Sequence, residues 1–412
     1  MSFATLGLTP ALLAALSAQQ FTAPTPIQSA AIPLILQGQD VIAQAQTGSG
    51  KTLAFCAPLL QNLQSPARPR AVQLLILVPT RELAAQVGAS IEQLARALQA
   101  AAKLAVLFGG VSLNPQMLHL RGGADIVVAT PGRLLDLVQH NALSLSQVRS
   151  LVLDEADRLL ELGFADELAQ ILALLPARRQ TLLFSATFPA NVEQLATRIC
   201  QVPTRISIAA EDVSAPDISE RAIAVDAPQR TQLLRHLIRA EGWKRVLVFV
   251  ATKYAAELVA VKLRRLHIAA EPFHGELSQG KRTQVLADFK ASRLRVVIAT
   301  DVAARGIDIS DLPVVVNYDL PRSADDYTHR IGRTGRAGRS GVAVSFVSAD
   351  HAAHFELIQK RHGLRLEMES VDGFAATEIA LAPAVLDANG GVKGRRPSKK
   401  DKLRALAAGA AK

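Results

Sequence analysis

The chain has 412 residues, enough for two or three domains. Its 46 Lys and Arg against 36 Asp and Glu give a formal net charge of +10, typical of a protein that binds a polyanion. An apolar share of 49% excludes a globally disordered chain, and two cysteines exclude a disulfide framework or a cysteine-based zinc site. Because no apolar run reaches the ~18 residues of a membrane span and no secretory signal is evident, we expect a cytoplasmic protein without a membrane partner.

Short runs rich in Val, Ile and Leu alternate with longer segments of helical period. The runs are apolar throughout, which is typical of parallel strands covered on both faces. The sequence therefore predicts an α/β fold with mostly parallel sheets and helices on both faces. The predicted strands are 40–45, 74–79, 104–109, 125–130, 150–154 and 181–185 in the first half, and 245–251, 295–299, 313–317 and 341–346 in the second. Helices fill the gaps, including 81–99 and 156–175.

Two strand–helix junctions of the first half, at Thr80 and Thr130, have counterparts at Thr252 and Thr300 with nearly the same spacing. This internal repeat indicates two related sheets. Chance is the alternative, since Thr is a common residue at helix starts.

We predict a first domain at 1–208, a linker at 209–220, a second domain at 221–368 and a basic tail at 369–412. The linker has no helical period. Within the tail, residues 391–404 carry seven basic side chains and one acidic one. We therefore expect a disordered tail that attracts a polyanion by charge alone.

A glycine-rich stretch follows the first predicted strand and precedes a helix, with the sequence Ala45-Gln46-Thr47-Gly48-Ser49-Gly50-Lys51-Thr52. Glycines allow backbone N–H groups to point at phosphate oxygens, and the helix N-terminus adds a positive dipole end. In such a loop Lys51 reaches the β- and γ-phosphates and Thr52 ligates Mg²⁺. The alternative, a plain glycine-rich turn, fits the strand–loop–helix context less well.

Asp154 and Glu155 end an apolar strand about 100 residues further on. In a phosphate-loop enzyme the first of these carboxylates helps to hold Mg²⁺, and the second orients or deprotonates the attacking water. An acidic helix start is the simpler interpretation of the pair taken alone.

The segment 329–336 reads His-Arg-Ile-Gly-Arg-Thr-Gly-Arg, with arginines three residues apart. One interpretation is a basic surface for nucleic acid. The other is that Arg333 and Arg336 cross the gap between the domains and contact the γ-phosphate as arginine fingers.

Together these motifs resemble those of DEAD-box ATP-dependent RNA helicases, most closely the bacterial RhlE-type members, over roughly residues 1–365. The signature is Asp154-Glu155-Ala156-Asp157, and the phosphate loop matches the family form with Ala45 in place of the usual first Gly. The resemblance implies two tandem RecA-like domains, ATP and Mg²⁺ in a cleft between them, and RNA as the partner.

The segment 21–28 resembles the motif by which the family recognises adenine. The resemblance implies that Gln28 contacts the adenine edge, that Phe21 lies in the same site, and that Phe3 stacks on the base. The family usually has Gly before this Phe, whereas this chain has Gln20. In the second domain, Gly306 and Asp308 match the motif that touches the ATP ribose.

Further matches imply contacts with RNA. Ser185 and Thr187 resemble the motif that couples hydrolysis to strand separation, and we place His329 with them. The residues that match RNA-contact motifs are Thr80, Arg81, Gly110, Thr130, Arg133, Thr252, Gly275, Arg282, Thr300 and Arg305.

Aromatic residues make up 4% of the chain, so we expect sequence-independent contacts with the RNA backbone rather than base stacking. The resemblance implies local separation of short duplexes by a monomer, with RNA decay, ribosome assembly or cold response as possible settings. Three alternatives remain: an enzyme of the same fold that acts on DNA, an RNA clamp or scaffold with incidental ATPase activity, and a small-molecule kinase. Intact Lys51, Glu155 and Arg333 disfavour the clamp, and the second domain with its arginines disfavours the kinase.

Overall fold

The computed structural model describes residues 2–45, 48–63, 70–98, 102–208, 217–304, 312–335 and 340–377. Within them the chain forms two sheets of seven parallel strands each. The two RecA-like domains predicted from the sequence are confirmed. In the described residues, no helix is both long and apolar enough to cross a membrane.

The first sheet has the order β3-β4-β2-β5-β6-β1-β7. Its strands are β1 Val41–Gln44, β2 Leu74–Leu77, β3 Leu104–Leu107, β4 Ile126–Ala129, β5 Ser150–Leu153, β6 Gln180–Ser185 and β7 Thr204–Ser207. The surrounding helices are α1 Pro10–Ala18, α2 Pro26–Leu36, α3 Lys51–Gln61, α4 Arg81–Ala97, α5 Leu113–His119, α6 Pro131–Gln139, α7 Ala156–Glu161, α8 Ala165–Ala173 and α9 Ala190–Ile199. A 3₁₀ turn at Phe3–Leu6 precedes them.

The second sheet has the order β10-β11-β9-β12-β13-β8-β14. Its strands are β8 Ile218–Ala224, β9 Val246–Val250, β10 Ala270–Phe273, β11 Val296–Thr300, β12 Val314–Asn317, β13 Gly341–Val347 and β14 Met368–Glu369. Its helices are α10 Arg230–Ala240, α11 Lys253–Arg265, α12 Gln279–Lys290, α13 Asp301–Ala304, α14 Ala324–Ile331 and α15 Ala352–His362. Short 3₁₀ turns at Ala227–Gln229 and Ala349–His351 precede α10 and α15.

Both faces of each sheet are buried, as the uniformly apolar strands predict. Along β2, Leu74 and Ile76 pack into one core cluster, and Leu75 and Leu77 pack into another on the opposite face. The central strands of the second sheet divide in the same way between two clusters. Because all strands are parallel, the residues that follow them collect at one edge of each sheet, where the candidate sites lie.

Several predicted boundaries are corrected. The helix predicted at 156–175 is two helices, because Gly163 at φ +87° turns the chain between α7 and α8. Strand β8 begins at Ile218, inside the predicted linker 209–220, and residues 209–216 lie outside the described part of the chain.

The predicted tail, 369–412, also begins too early. Thr377 donates from its backbone and its hydroxyl to the Asp226 carboxylate at 2.8–3.1 Å, and Phe374 lies against His236 with ring centroids 5.4 Å apart. The folded domain therefore continues to at least residue 377. The basic stretch 391–404 lies outside the described residues.

Candidate nucleotide and RNA sites

The phosphate loop joins β1 to α3 at the carboxyl edge of the first sheet. Gly48 and Gly50 have φ of +86° and +91°, a conformation that favours glycine. Lys51 is the first residue of α3 and is buried, with Nζ donating to the carbonyl of Ala45 at 3.0 Å. The lysine is therefore held across the loop, with Thr52 in the next position. Gln46 and Thr47 lie outside the described residues, and Ser49 is partly buried.

Gln28 connects the predicted adenine motif to the phosphate loop. Its Oε1 accepts from the Thr25 N–H at 3.0 Å, which caps α2, and its Nε2 donates to the Gly50 carbonyl at 3.1 Å. A Cβ at position 50 would lie 2.5 Å from this Nε2. The glycine thus permits both the left-handed turn and the close approach of Gln28.

The two predicted aromatic contacts differ in exposure. Phe3 is buried in a core cluster with 5% of its surface exposed, so the predicted stacking of Phe3 on adenine is wrong, whereas Phe21 is 41% exposed. Gln20, where the family usually has Gly, adopts φ +63°. This left-handed conformation costs a non-glycine residue about 1–2 kcal/mol, and it explains why glycine suits the position.

Asp154 and Glu155 lie at the end of β5, beside the phosphate loop. Burial raises the pKa of the Asp154 carboxyl to about 6, the charge of Lys51 opposes that rise, and Glu155 adds to it. Glu155 precedes α7 with φ +52°, so a non-glycine residue occupies a strained left-handed conformation. Residues held in such strained backbone conformations occur most often at functional sites.

Asp157, Ser185 and Thr187 form one hydrogen-bonded network between α7 and β6. Asp157 Oδ2 accepts from the N–H and the hydroxyl of Thr187, both at 2.9 Å. The Ser185 hydroxyl accepts from the Asp157 N–H at 3.2 Å and donates to the Thr187 carbonyl at 2.8 Å. Two of the three predicted coupling residues, Ser185 and Thr187, are thus bonded directly to the acidic motif. Asp157 itself was not among the predicted site residues.

A narrow cleft brings the two domains together at the predicted catalytic residues. Glu155 and Arg158 line it from the first domain, and His329, Arg330 and Arg333 line it from the second. Burial lowers the pKa of His329 to about 4, and the charges of Arg158 and Arg333 lower it further while that of Asp157 opposes them. His329 is therefore neutral at pH 7 and packs against the acidic motif of the other domain. Arg336 lies outside the described residues.

Arg330 was not predicted as a site residue, and its bonds explain its place beside Arg333. Its guanidinium forms two bonds to the Asp301 carboxylate at 2.6 and 2.7 Å and donates to Asn317 Oδ1 at 3.1 Å. It also lies over the Phe249 ring, 5.0 Å from the centroid. Arg330 therefore fixes the start of α13 against α14, and the sequence alone offered no sign of this role.

A second cleft between the domains, with a volume of about 430 Å³, brings together six of the predicted RNA-contact residues. These residues are Thr80, Arg81, Thr130, Arg133, Gly275 and Arg282. Gly110 belongs to the same surface, since a Cβ there would lie 2.0 Å from the Arg81 guanidinium. Burial lowers the pKa of Arg81, and the neighbouring cations Arg282 and Arg133 contribute to the shift. Three arginines and two acidic residues, Glu82 and Asp136, line the cleft, so it carries a net positive charge.

Arg282 and Glu82 bridge this cleft. Arg282 Nε donates to Glu82 Oε1 at 2.6 Å, Nη1 donates to the His274 carbonyl at 3.0 Å, and the guanidinium lies 4.5 Å from the centroid of the Phe273 ring. Both side chains of the ion pair are 5% exposed. The predicted RNA-contact residue Arg282 is thus engaged in holding the two domains together.

The remaining predicted RNA-contact residues lie at strand ends of the second sheet or outside the described chain. Thr252 is exposed and caps α11 by accepting from the Ala255 N–H at 3.1 Å. Thr300 ends β11 and is partly buried. Arg305 lies outside the described residues, as do Gly306 and Asp308 of the predicted ribose contact.

The chain is similar to known proteins over most of its length. Residues 25–195 match the DEAD/DEAH box helicase family, and residues 229–338 match the helicase conserved C-terminal domain. The chain is 42% identical over 347 residues to an ATP-dependent RNA helicase DeaD of Buchnera aphidicola, covering 84% of this chain and 57% of that protein. It is 38% identical over 374 residues to a DEAD-box ATP-dependent RNA helicase CshA of Geobacillus kaustophilus, covering 90% and 79%.

The chain belongs to the family of DEAD-box ATP-dependent RNA helicases. The predicted family is confirmed, and with it the predicted ATP-dependent RNA helicase activity.

The arrangement of the domains resembles that of a helicase with its ligands bound. The structure of Saccharomyces cerevisiae Dbp5 bound to RNA and ADP BeF3 is 34% identical and superposes with a TM-score of 0.78, covering 90% of this chain and 95% of that one. A DEAD box protein from Methanococcus jannaschii is 36% identical and is covered to 99%, but its TM-score is 0.51. In this chain the buried pair of Glu82 and Arg282 joins the two domains directly, and we call this arrangement closed.

Proposed function

We propose that this helicase separates short RNA duplexes locally, by closing its two domains on ATP and RNA together. The cleft in which Glu155 of the first domain meets His329 and Arg333 of the second carries the proposal. Neither domain contains all of these groups, so hydrolysis depends on closure.

Glu155 orients or deprotonates the water that attacks the γ-phosphate, and Arg333 and Arg336 stabilise the charge that develops there. Lys51 and the backbone of the loop 45–52 hold the phosphates. Gln28 and Phe21 form the adenine site, and Gly306 and Asp308 contact the ribose.

Mg²⁺ fits the residues beside the loop. Thr52 and Asp154 supply hydroxyl and carboxylate oxygens, the ligands that Mg²⁺ prefers, and Mg²⁺ usually completes its shell with water and substrate phosphates. A nearby divalent cation would also favour the ionised form of the buried Asp154. When bound, the ion neutralises charge on the β- and γ-phosphate oxygens.

RNA lies across both domains in the electropositive cleft around Arg81 and Arg133. Contacts from Thr, Gly and Arg side chains and backbone favour phosphate and sugar over base edges, so binding is independent of sequence. The network of Asp157, Ser185 and Thr187 links the acidic motif of the ATP site to β6, and we assign it the coupling of hydrolysis to strand separation, with His329 on the other domain.

Within the family we propose an RhlE-type member, on the motif sequences alone. We further propose that the chain works as a monomer in the cytoplasm and that its RNA lies in ribosomal or RNA-decay assemblies.

A strand-displacement assay tests the function. The protein should separate a short RNA duplex with a single-stranded extension in the presence of ATP and Mg²⁺, and turnover should require RNA. An RNA clamp would instead hold RNA without displacing a strand, and that result would reject the proposal. Sequencing of RNA crosslinked to the protein in cells would identify the target.

A further inference from the structure

The second domain carries a large cavity that the proposed reaction does not use. It has a volume of about 730 Å³, within the usual range for ligand sites. All of its described lining residues belong to the second domain, among them Lys244, Arg245, Arg293, Arg295 and Ser340. We call this cavity the basic pocket.

The basic pocket lies at the amino ends of the strands, away from the cleft between the domains. Lys244 and Arg245 precede β9, and Arg293 and Arg295 precede β11. The residues at the other ends of these strands, Thr252 and Thr300, belong to the predicted RNA-contact motifs. Five residues of strand separate the two edges by roughly 16 Å.

The pocket concentrates positive charge. Of its ten described lining residues, four are basic and none is acidic. Lys244 is exposed and makes no hydrogen bond or ion pair with the described residues. Arg293 pairs with Asp288, which lies outside the lining.

Arg295 is fixed in place without losing its charge. Its Nε donates to the Trp243 carbonyl at 2.5 Å and its Nη2 donates to the Ile238 carbonyl at 2.9 Å. Both acceptors are neutral carbonyl groups, so these bonds leave the positive charge of the guanidinium without a carboxylate to offset it, close to the other cations of the pocket. Like charges at such proximity disfavour the folded state, and a bound polyanion would relieve the repulsion.

We propose that the basic pocket binds the phosphodiester backbone of RNA that extends beyond the cleft between the domains. Phosphate is the anion that arginine and lysine clusters suit best. RNA is the polyanion that the family acts on, and the proposal rests on the proposed function in this respect. The pocket would add affinity for long RNA and contribute no group to catalysis.

The test compares RNA of two lengths. A single strand of about 8 nucleotides occupies the cleft alone, and one of about 20 nucleotides can reach further, given typical site sizes for single strands. The variant carries Lys244→Glu and Arg293→Ala, which spares the structural bonds of Arg295. The matched control carries Lys360→Glu and Arg361→Ala on the exposed end of α15.

We expect the pocket variant to bind the long RNA about tenfold more weakly. The negative slope of log association constant against log salt concentration should become shallower by about 1.4, at about 0.7 for each of two lost contacts. Affinity for the short RNA, and ATP turnover at saturating short RNA, should match the wild type, and the control should bind both RNAs like the wild type.

Equal loss for both lengths, or a long-RNA affinity within twofold of the control, would overturn the proposal. Lys244-dependent binding of inorganic tripolyphosphate with unchanged affinity for long RNA would assign the pocket to a free anion and would overturn it as well. If the wild type hydrolysed ATP at the same rate with and without RNA, the proposed function itself would fail. The pocket proposal is judged separately, by the difference between wild type and variant in their affinity for long RNA.

Discussion

Arg282 and Glu82 form a buried ion pair between the two domains, with Nε 2.6 Å from Oε1 and each side chain 5% exposed. The two residues lie 200 positions apart in the sequence. When one partner of a buried pair is removed, the other charge is left uncompensated, at a cost of about 3–5 kcal/mol. Loss of one partner therefore disfavours the closed arrangement, because the remaining charge returns to water only when the domains separate.

Glu82→Gln should lower RNA-stimulated ATP turnover at least tenfold, because the closed state loses its buried partner for Arg282. The melting temperature should change little, since the open state hydrates Arg282 without unfolding either domain. Steady-state turnover with saturating RNA is the measurement. Glu271→Gln, which removes ion pairs to Arg264 at 3.6 Å and to Lys281 at 3.0 Å within the second domain, is the control. Turnover equal to that of the control would show that the pair does not stabilise closure.

Glu155→Gln should reduce RNA-stimulated kcat by at least ~10²-fold, the low end for loss of a positioned acid or base. Binding of ATP should persist, because Lys51 and the loop glycines are untouched. Glu167→Gln, at the start of α8, serves as the comparison. A variant that keeps more than about a third of wild-type turnover would remove Glu155 from the role of base.

Arg333→Ala and Arg330→Ala should impair different properties, the first ATP turnover and the second thermal stability. Arg333 lines the cleft opposite Glu155, so its loss should cut turnover roughly 10³-fold, in the lower range for an arginine finger, with little change in melting temperature. Arg330 holds Asp301 and Asn317, so its loss should lower the melting temperature of the second domain. Thermal unfolding and turnover, measured on both variants, separate the roles. A large loss of stability in Arg333→Ala would contradict the assignment.

Thr187→Ala should uncouple hydrolysis from unwinding. The substitution removes one of the two bonds from Thr187 to the Asp157 carboxylate and leaves the backbone bond in place. We expect strand displacement per ATP hydrolysed to fall about tenfold or more while RNA-stimulated hydrolysis stays within a few-fold of wild type. Thr197→Ala, on α9, is the control. Equal losses in hydrolysis and displacement would place Thr187 in the hydrolytic step instead.

Closure should weaken in acid because of His329. Its pKa is lowered to about 4 in the closed cleft and lies near 6.5 in water, so the closed state binds fewer protons between these values. The contribution of neutral His329 to the free energy of domain closure is therefore fully present above about pH 6.5, and it is lost progressively as pH falls toward 4. RNA affinity in the presence of a nonhydrolysable ATP analogue, measured across this range, should fall less steeply in His329→Gln. Identical profiles would show that His329 does not titrate with closure.

Apart from β3, an edge strand made only of apolar residues, the strands that the sequence predicted lie inside the sheets, where both faces and both edges are covered. Strand β7 (Thr-Arg-Ile-Ser) was missed because an edge strand exposes alternate residues to water. Strand β10 contains Pro272, which an edge position tolerates and which argues against a strand in a single sequence. Strand β8 carries three charged or polar residues, and it therefore resembled a linker.

The sequence predicted those parts of the candidate site that are formed by short contiguous motifs. The phosphate loop and the acidic pair at Asp154 are contiguous in sequence, and parallel strands bring their ends together. The pairing of Glu82 with Arg282 could not be predicted, since it depends on how two independently folded domains meet. The bonds of Arg330 to Asp301 and Asn317 join separate segments of the second domain and escaped detection for the same reason.

RNA-stimulated ATP turnover tests the central claim most directly. It is measured with matched single strands of RNA and DNA, on the wild type and on Arg333→Ala. If closure on RNA brings Glu155 and Arg333 together, RNA should raise wild-type turnover severalfold or more, DNA of the same sequence should raise it far less, and Arg333→Ala should abolish the RNA response. Turnover that is independent of RNA, or an undiminished RNA response in Arg333→Ala, would contradict the account.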